Sequence, residues 1–501
     1  MPLTWRRLAP LVAVVAFASA TDSSNASAGI ADVRALSYYP AHGGWTLMWT
    51  RFRPGEIDRD MGRIASLRAN TVRIVVPASL FGYPEPTPDA MAKLDRVVAL
   101  AARHRLRVQL TLFDWWHDYS DLDGSKRWAT GILSRYRGDP RLALVELKNE
   151  LQPQDATAVA WARQLLPHVR REVGVPVGIS VAGLDVPRDL ALLKEGLARS
   201  QPDFYSAHFY WDPGFAYEDL SRAKQAVAPI PLIVGETGYS TYLGYPIVSG
   251  LPRTGSAREA AQAYYLRSLA LTARRLRLPP IQPWILSDFT RAAIPRDDPG
   301  VFGNPREYLF GLFRVSGAPK PAAGTLRSIF AGRYSYGFNN GFEDGVRDEG
   351  GRSFPALWRT RVAPRARFTR DVGVSHRGRA SARISATRAR TGPDAAFMIS
   401  PPDPGVRAGD RSTATAYARA TEHCGRIVIS IAWLARSGSA LATRRSRPVR
   451  CGGSDWQRLM VTGLAPEGAA YVRIQLRAAR IAGSVWFDDV AYACGRGRGR
   501  C

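Results

Sequence analysis

Two stretches of this chain end on a glutamate that packing alone does not explain. Leu142-Ala-Leu-Val-Glu-Leu-Lys-Asn149-Glu150 reads as an apolar run of strand length that stops on an Asn-Glu pair, and Ile230-Pro-Leu-Ile-Val-Gly-Glu236-Thr237 repeats the design. A carboxylate at the C-terminal mouth of a buried strand carries a desolvation cost that no packing role offsets. Two such carboxylates, each on its own strand, are the parts that acid-assisted and nucleophilic cleavage of a glycosidic bond requires. That chemistry demands that the rest of the chain make them neighbours.

The surrounding pattern supplies a way to do so. From Val33 to about Ala331, strand-like and helix-like stretches alternate. Strands are expected at 34–39, 70–76, 106–113, 142–149, 175–182, 204–208, 232–235 and 281–286. Helices are expected at 56–68, 89–104, 125–136, 156–173, 190–198, 219–227 and 257–276, where apolar residues recur at helical spacing. Such alternation points to parallel strands, and eight units of this size match a (β/α)8 TIM barrel. A doubly wound open sheet is the competing α/β fold, but no GxGxxG follows the first strand. Past Gly332 the pattern changes to short alternating strands with glycine turns, at 380–384, 413–419, 426–434, 457–462, 470–477 and 484–490. That reads as a smaller all-β sandwich domain. The expected division is 1–28 signal peptide, 29–332 barrel and 333–501 sandwich. No long Pro/Ser/Thr linker separates the halves, so they are expected to pack together.

Composition bounds the setting. With 501 residues, 46% hydrophobic and 22% charged, the chain is of globular type and long enough for two domains. Arg6 and Arg7, the apolar Leu8–Phe17 and the small residues Ala18-Ser19-Ala20 read as a secretory signal, cut after Ala20 or Ala28. A retained anchor is the alternative, and no later stretch is long and apolar enough to span a bilayer. Export permits disulfides among Cys424, Cys451, Cys494 and Cys501, with Cys424–Cys451 and Cys494–Cys501 the favoured pairing. No CxxC pair or interleaved histidines suggest zinc. The formal charge of +26 admits an acidic partner, such as an anionic glycan or the cell envelope. The basic residues are nearly all arginines scattered along the chain, which reads as residue usage, and no nucleic-acid partner is expected.

In a barrel, the C-terminal ends of the strands converge on one mouth. Those ends carry Tyr38 and Tyr39, Arg73, Asp114 and Trp115, Asn149 and Glu150, His208 and Tyr210, Glu236, and Trp284; the fifth end, near Ala182 and Gly183, offers nothing comparable. Any one of these has a structural explanation. His208 could be a satisfied core histidine, Arg73 could pair with a buried carboxylate, and Trp284 could be core. The ordered set is harder to explain as packing.

That order, carried by Val72-Arg73, Leu147-Lys-Asn149-Glu150, Ser206-Ala-His208-Phe-Tyr210, Val234-Gly-Glu236 and Pro283-Trp284, resembles the clan A glycoside hydrolases, most of all the family 5 cellulase-like enzymes. The segment Gly311–Ala322 is similar to the closing segment of those barrels. The resemblance implies Glu150 as general acid/base and Glu236 as nucleophile. It implies Asn149 on the sugar 2-hydroxyl, Arg73 bonded to Glu236, His208 and Tyr210 supporting the nucleophile, and Trp284 as floor of the reacting subsite. Asp114 and Trp115 join Arg73, Asn149, His208, Tyr210 and Trp284 as substrate-binding candidates. The acid must stay protonated near neutral pH, and a second carboxylate nearby is expected to raise its pKa. The sequence departs from the family pattern in two places. Phe113-Asp114-Trp115-Trp116-His117 stands where many members have a histidine near the third strand end, and Leu151 stands where a proline usually follows Asn-Glu. Of the loop aromatics Trp45, Trp49, Trp115, Trp116, Trp211 and Tyr239, about half are expected to face a ligand.

In the second half, Asn340-Gly-Phe-Glu343, His376–Ile384 and Val485-Trp-Phe-Asp488-Asp-Val490 resemble carbohydrate-binding β-sandwich modules. The resemblance implies a structural calcium held by Glu343 and Asp488; alternatively, both carboxylates cap turns. Trp358 and Trp433 are either a sugar platform or buried packing. The chain is thus read as a secreted, monomeric, retaining β-glycoside hydrolase acting on a β-linked polysaccharide or oligosaccharide, without a catalytic metal or organic cofactor. A transglycosylase of the same fold, a non-catalytic glycan-binding protein of the cell envelope and a charge-driven binder of envelope or nucleic acid are the alternatives.

Overall fold

The computed structural model describes residues 29–500 apart from 184, 212, 214, 244–254, 297–298, 335–338, 344, 348–351, 362–365, 387–395, 401, 405, 422–424, 450–451 and 497–498. The leader expected at 1–28 lies outside the described residues. So do Cys424, Cys451 and Cys501, and with them both expected disulfide pairings.

The first half is a seven-stranded parallel sheet rolled into a nearly closed barrel, its strands neighbouring one another in chain order. The strands are β1 (Ala35–Ser37), β2 (Thr71–Val75), β3 (Arg107–Phe113), β4 (Leu142–Lys148), β5 (Val177–Ala182), β6 (Phe204–Phe209) and β7 (Leu232–Thr237). Between and after them run α1 (Thr46–Thr50), α2 (Pro54–Ser66), α3 (Pro88–Arg103), α4 (Leu122–Leu133), α5 (Ala156–Glu172), α6 (Val186–Leu197), α7 (Ala216–Val227), α8 (Gly255–Arg275) and α9 (Pro321–Phe330). The helix starts are written locally. Thr87, Asp121, Asp155 and Asp185 each accept a bond from a first-turn N–H, and a proline stands within the first two positions of α2, α3, α6 and α9.

The eighth strand expected at 281–286 is not a regular strand. Pro280 and Pro283 have no N–H to give, so a continuous ladder cannot form there. The segment still fills the gap between β7 and β1. Gln282 N–H donates to Val234 O (3.0 Å) and Trp284 N–H to Thr237 O (2.7 Å), while Pro283 O accepts from Ser37 N–H (3.1 Å). The barrel is therefore closed by single bonds where the other strands use ladders.

The second half is antiparallel. One sheet runs through Arg359–Arg361, Ala396–Ile399, Tyr471–Ala479, Arg426–Leu434 and Ala440–Arg445. The other runs through Ala366–Asp371, Ser381–Ala386, Gly483–Arg496, Arg411–Ala420 and Gly453–Leu464. Strand Arg411–Ala420 alternates strictly, with Ser412, Ala414, Ala416, Ala418 and Ala420 buried. Trp358 and Trp433 are 6% and 1% exposed, so both are packing residues and not a sugar platform. Glu343 Oε1 accepts from the N–H of Arg379 (2.9 Å) and Ala380 (3.3 Å), and Asp488 Oδ2 from His376 N–H (2.7 Å). Each carboxylate thus ties down a turn.

Helix α8 joins the halves. Sixteen of its residues, from Ala257 to Thr272 and Ala273, are buried, with polar groups among them. A helix covered on all sides lies between two bodies. Arg267 Nη2 meets Asp403 Oδ1 at 2.7 Å and Arg275 Nη2 meets Asp410 Oδ2 at 2.9 Å, both pairs nearly dry, and Tyr264 Oη donates to Pro402 O at 2.5 Å. Among the described residues no helix is long and apolar enough to cross a membrane.

Candidate active site

The strand ends surround a cleft of about 910 Å3. Its wall includes Arg73, Asp114, Trp115, Asn149, Glu150, Tyr210, Glu236 and Trp284, all singled out above, together with Tyr39. Tyr38 points the other way and donates to the buried Asp60 (3.1 Å). The aromatics divide evenly. Trp45, Trp115 and Trp211 line the cleft, whereas Trp49 packs on Phe81, Trp116 on Tyr83 and Tyr239 on Tyr265.

Arg73 is the hub. It is 1% exposed, and its guanidinium donates to Glu236 Oε2 (2.6 Å), Asn149 Oδ1 (2.7 Å) and Glu146 Oε2 (2.7 and 2.9 Å). Asn149 is thereby fixed as to which end of its amide is which: Oδ1 faces Arg73 and Nδ2 donates to Asp114 Oδ1 at 2.8 Å. Tyr210 Oη donates to Glu236 Oε1 at 2.5 Å. Both oxygens of Glu236 therefore receive a hydrogen, which holds the carboxylate in one orientation.

His208 does not line the cleft, and it is not chiefly a partner of Glu236. It is 1% exposed, and its Nδ1 lies 2.8 Å from Glu150 Oε1 against 3.8 Å from Glu236 Oε2. The bulge in the β6–β7 register sets His208 opposite Glu236 along the sheet while its ring reaches sideways to Glu150. Burial disfavours charge on His208, but the charge of Glu236, the nearness of Glu146 (3.8 Å) and the bond to Glu150 outweigh it and push its pKa up to about 10. Glu150 is consequently not raised as expected from its carboxylate neighbour. Burial does work to raise it, but the bond and charge of His208, then the charge of Arg73, hold it below its ordinary value. Its side chain is 40% exposed to the open cleft, so water still screens part of that charge.

Two residues that the sequence reading passed over complete the frame. Glu146, on the inner face of β4, accepts from Arg73 and from Thr111 Oγ1 (2.6 Å); burial opposes its charge, but Arg73 and then His208 hold its pKa well below the carboxylate range. Ser180, on the fifth strand, accepts from Glu150 N–H (2.8 Å) and donates to Lys148 O (3.2 Å). It thus pins the turn in which Glu150 has φ 50°. Trp45 (φ 47°) and Trp115 (φ 49°) also occupy the left-handed region, so three non-glycine residues of the cleft sit in conformations that cost roughly 1 kcal/mol or more each. Glu307, brought in by the loop before α9, adds a carboxylate that burial pushes up to about 7 against the pull of Arg306. Asp114 is likewise pushed up to about 6 by burial, against its bond from Asn149.

One oxygen or nitrogen from each of Glu150, His208 and Glu236 lies within 4.8 Å of the others. Three such groups can exchange a proton, and the same three could grip a metal ion.

The titrations predict a stability profile. His208, raised from about 6.5, adds stability that is complete below pH about 6.5 and is lost as pH climbs toward 10. Glu146, depressed from about 4.3, adds stability that is complete above that pH and is lost in acid. The thermal midpoint should therefore peak between about pH 4.5 and 6.5 and decline steadily to pH 9, with the alkaline decline reduced in His208→Gln. A midpoint that is flat or rising from pH 6.5 to 9 in the wild-type protein would refute the buried cationic histidine.

No protein-family model matches this chain, and no curated protein does. Among solved structures it is similar to the exo-beta-1,4-mannosidase Op5Man5 from Opitutaceae bacterium strain TAV5, at 19% identity and TM-score 0.47, covering 60% of this chain and 59% of that one. It is similar to a GH5_18 structure from Streptomyces cattleya in complex with GlcNAc, at 15% identity and TM-score 0.48, covering 60% of this chain and 80% of that one. A GH5_18 structure from Bifidobacterium longum subsp. longum gives 18% identity and TM-score 0.48, with 60% and 79% covered. The chain thus spans about three fifths of the length of the mannosidase and about four fifths of the two GH5_18 chains.

Proposed function

We propose that this protein is a retaining β-glycoside hydrolase, with Glu236 as nucleophile and Glu150 as acid/base, exported by its N-terminal leader to act on a β-linked glycan. The observation that carries the reading is the approach of the two glutamates, an oxygen of each within 4.8 Å of the other and of His208, at the mouth of a parallel barrel. An approach this close fits the retaining arrangement, with carboxyl groups about 5–5.5 Å apart, in which one attacks while the other protonates the leaving oxygen; inversion needs about 6.5–9.5 Å to admit a water. The frame sorts the roles. Glu236, bonded by Arg73 and Tyr210, is oriented for attack. Glu150 shares a proton with His208 and retains access to the cleft.

The proton inventory suggests how the acid is loaded. In the open cleft the proton rests on His208, and Glu150 is ionised. A sugar that covers Glu150 strips its water and favours the neutral form of the pair, in which Glu150 carries the proton that it gives to the glycosidic oxygen. After bond cleavage the ionised Glu150 is the base that activates water against the glycosyl-enzyme. Trp284, Trp45 and Trp115 offer faces for sugar stacking.

The test is to incubate the purified chain with a panel of β-glycans and read the first-formed product by NMR before mutarotation. A β-anomer from at least one substrate is expected. An α-anomer would establish inversion, and inactivity on every β-glycan together with no binding would remove the glycosidase reading.

A further inference from the structure

Beside the cleft lies a second cavity, of about 920 Å3, which none of the proposed catalytic residues enters. Tyr242 lines both, so the two cavities meet there. They differ in sign. Asp114, Glu150, Glu236 and Glu307 give the cleft four carboxylates. The annex carries Arg51, Arg291 and Arg296, and among the described residues that line it there is no Asp or Glu. Its floor is built into the barrel mouth. Gly44 N–H donates to Ala293 O (2.7 Å), Thr290 N–H to Ala41 O (3.0 Å) and Arg51 Nη1 to Ala292 O (3.2 Å), which ties the segment bearing Arg291 to the loops around α1. Phe289 in the annex wall leans on Trp45 of the cleft, with ring centroids 5.3 Å apart, so the two walls are continuous.

We propose that this annex receives an anionic group, a carboxylate or a sulfate, carried by a glycan whose scissile bond lies in the neighbouring cleft. The inference rests on the glycosidase reading and names the substrate class within it. Guanidinium groups pair with carboxylate and sulfate through two parallel N–H bonds, and all three arginines are exposed to receive one. The cleft, where four carboxylates face only Arg73 and Arg306 among the described residues that line it, disfavours the same group. A chain that is neutral at its reacting sugar and anionic further along is therefore held in one direction only, its charge past Tyr242 and its scissile bond over Glu150 and Glu236. A uniformly neutral chain leaves the arginines unused, and a chain charged at the reacting sugar is rejected.

The experiment is equilibrium binding by calorimetry, without turnover, using β-1,4-linked gluco- and manno-tetrasaccharides. Each is prepared neutral, with a C6-carboxylate on one terminal sugar, or with a 6-sulfate there. At least one anionic form should bind about tenfold or more tightly than its neutral parent, the scale of one charge-assisted contact. That advantage should vanish in Arg291→Ala/Arg296→Ala and at about 1 M salt, where screening shortens to about 3 Å, while neutral binding holds. The carboxylate and sulfate arms show which anion is preferred. Equal binding of neutral and anionic forms, or a preference that survives the double substitution, overturns the annex and leaves the glycosidase reading standing. No binding of any form overturns the annex, while the glycosidase reading falls only with inactivity on the whole panel of β-glycans. A matching thermal midpoint for the double variant shows that lost preference is not lost fold.

Discussion

Glu236→Ala should stop formation of the glycosyl-enzyme with every leaving group, and azide should then attack the substrate directly to give a product of inverted configuration. Glu150→Ala should behave differently. Without the acid, substrates with poor leaving groups should slow by about 10²–10⁴-fold, while an activated aryl glycoside, which needs no protonation, still loads the enzyme. Azide should restore turnover of that intermediate by attacking without general-base help, and its product should retain configuration. The structure gives each outcome a geometric reason. Glu236 is locked by Arg73 and Tyr210 and has no second carboxylate in the same bonds to replace it, whereas Glu150 reaches the cleft with its side chain 40% exposed, leaving room for a small anion once it is truncated. The anomeric form of the azide product, read by NMR, decides. A retained product from the Glu236 variant with an inverted one from the Glu150 variant would exchange the roles.

Arg73→Ala should cost about 3–5 kcal/mol of stability as well as activity, because it leaves two buried carboxylates without their cation. Glu146 and Glu236 are 0% and 7% exposed, and Arg73 is their shared partner. Removing both ends of one pair should be far less harmful than removing one. Arg73→Met combined with Glu146→Leu is expected to recover a large part of the loss seen in Arg73→Met alone, a coupling that a double-mutant cycle in urea measures directly. A single-variant loss under about 1 kcal/mol would show that the carboxylates find other compensation and that the hub is not structural.

The architecture was legible because its signals are local and repeated. Apolar periodicity switches between 2 and 3.6, caps and prolines mark the helix starts, and parallel order follows from alternation. The ends of those strands can be read one by one, and all but Tyr38 and His208 among the named residues do line the cleft. What escaped depends on partners that spacing does not reveal. Glu146 was hidden inside a stretch taken as uniformly apolar; a charge in the middle of a buried strand must have a buried counter-charge, and that alone could have flagged it. Ser180 was passed over because only the tip of the fifth strand was considered, while its hydroxyl acts two residues earlier, on the backbone of Glu150. His208 was assigned to the wrong glutamate because the β6–β7 bulge that sets its reach has no signature in the sequence. The eighth segment is apolar enough to read as a strand, but Pro280 and Pro283 forbid a ladder there.

The dry ion pairs Arg267–Asp403 and Arg275–Asp410 have a consequence for how far the molecule can reach. An accessory fold on a flexible linker explores a volume, and its benefit to a neighbouring site scales with effective concentration. One seated on α8 by buried charges explores almost none. It holds its outer face at a single separation from the barrel mouth, so the two halves should tumble as one body, with one rotational correlation time in place of two.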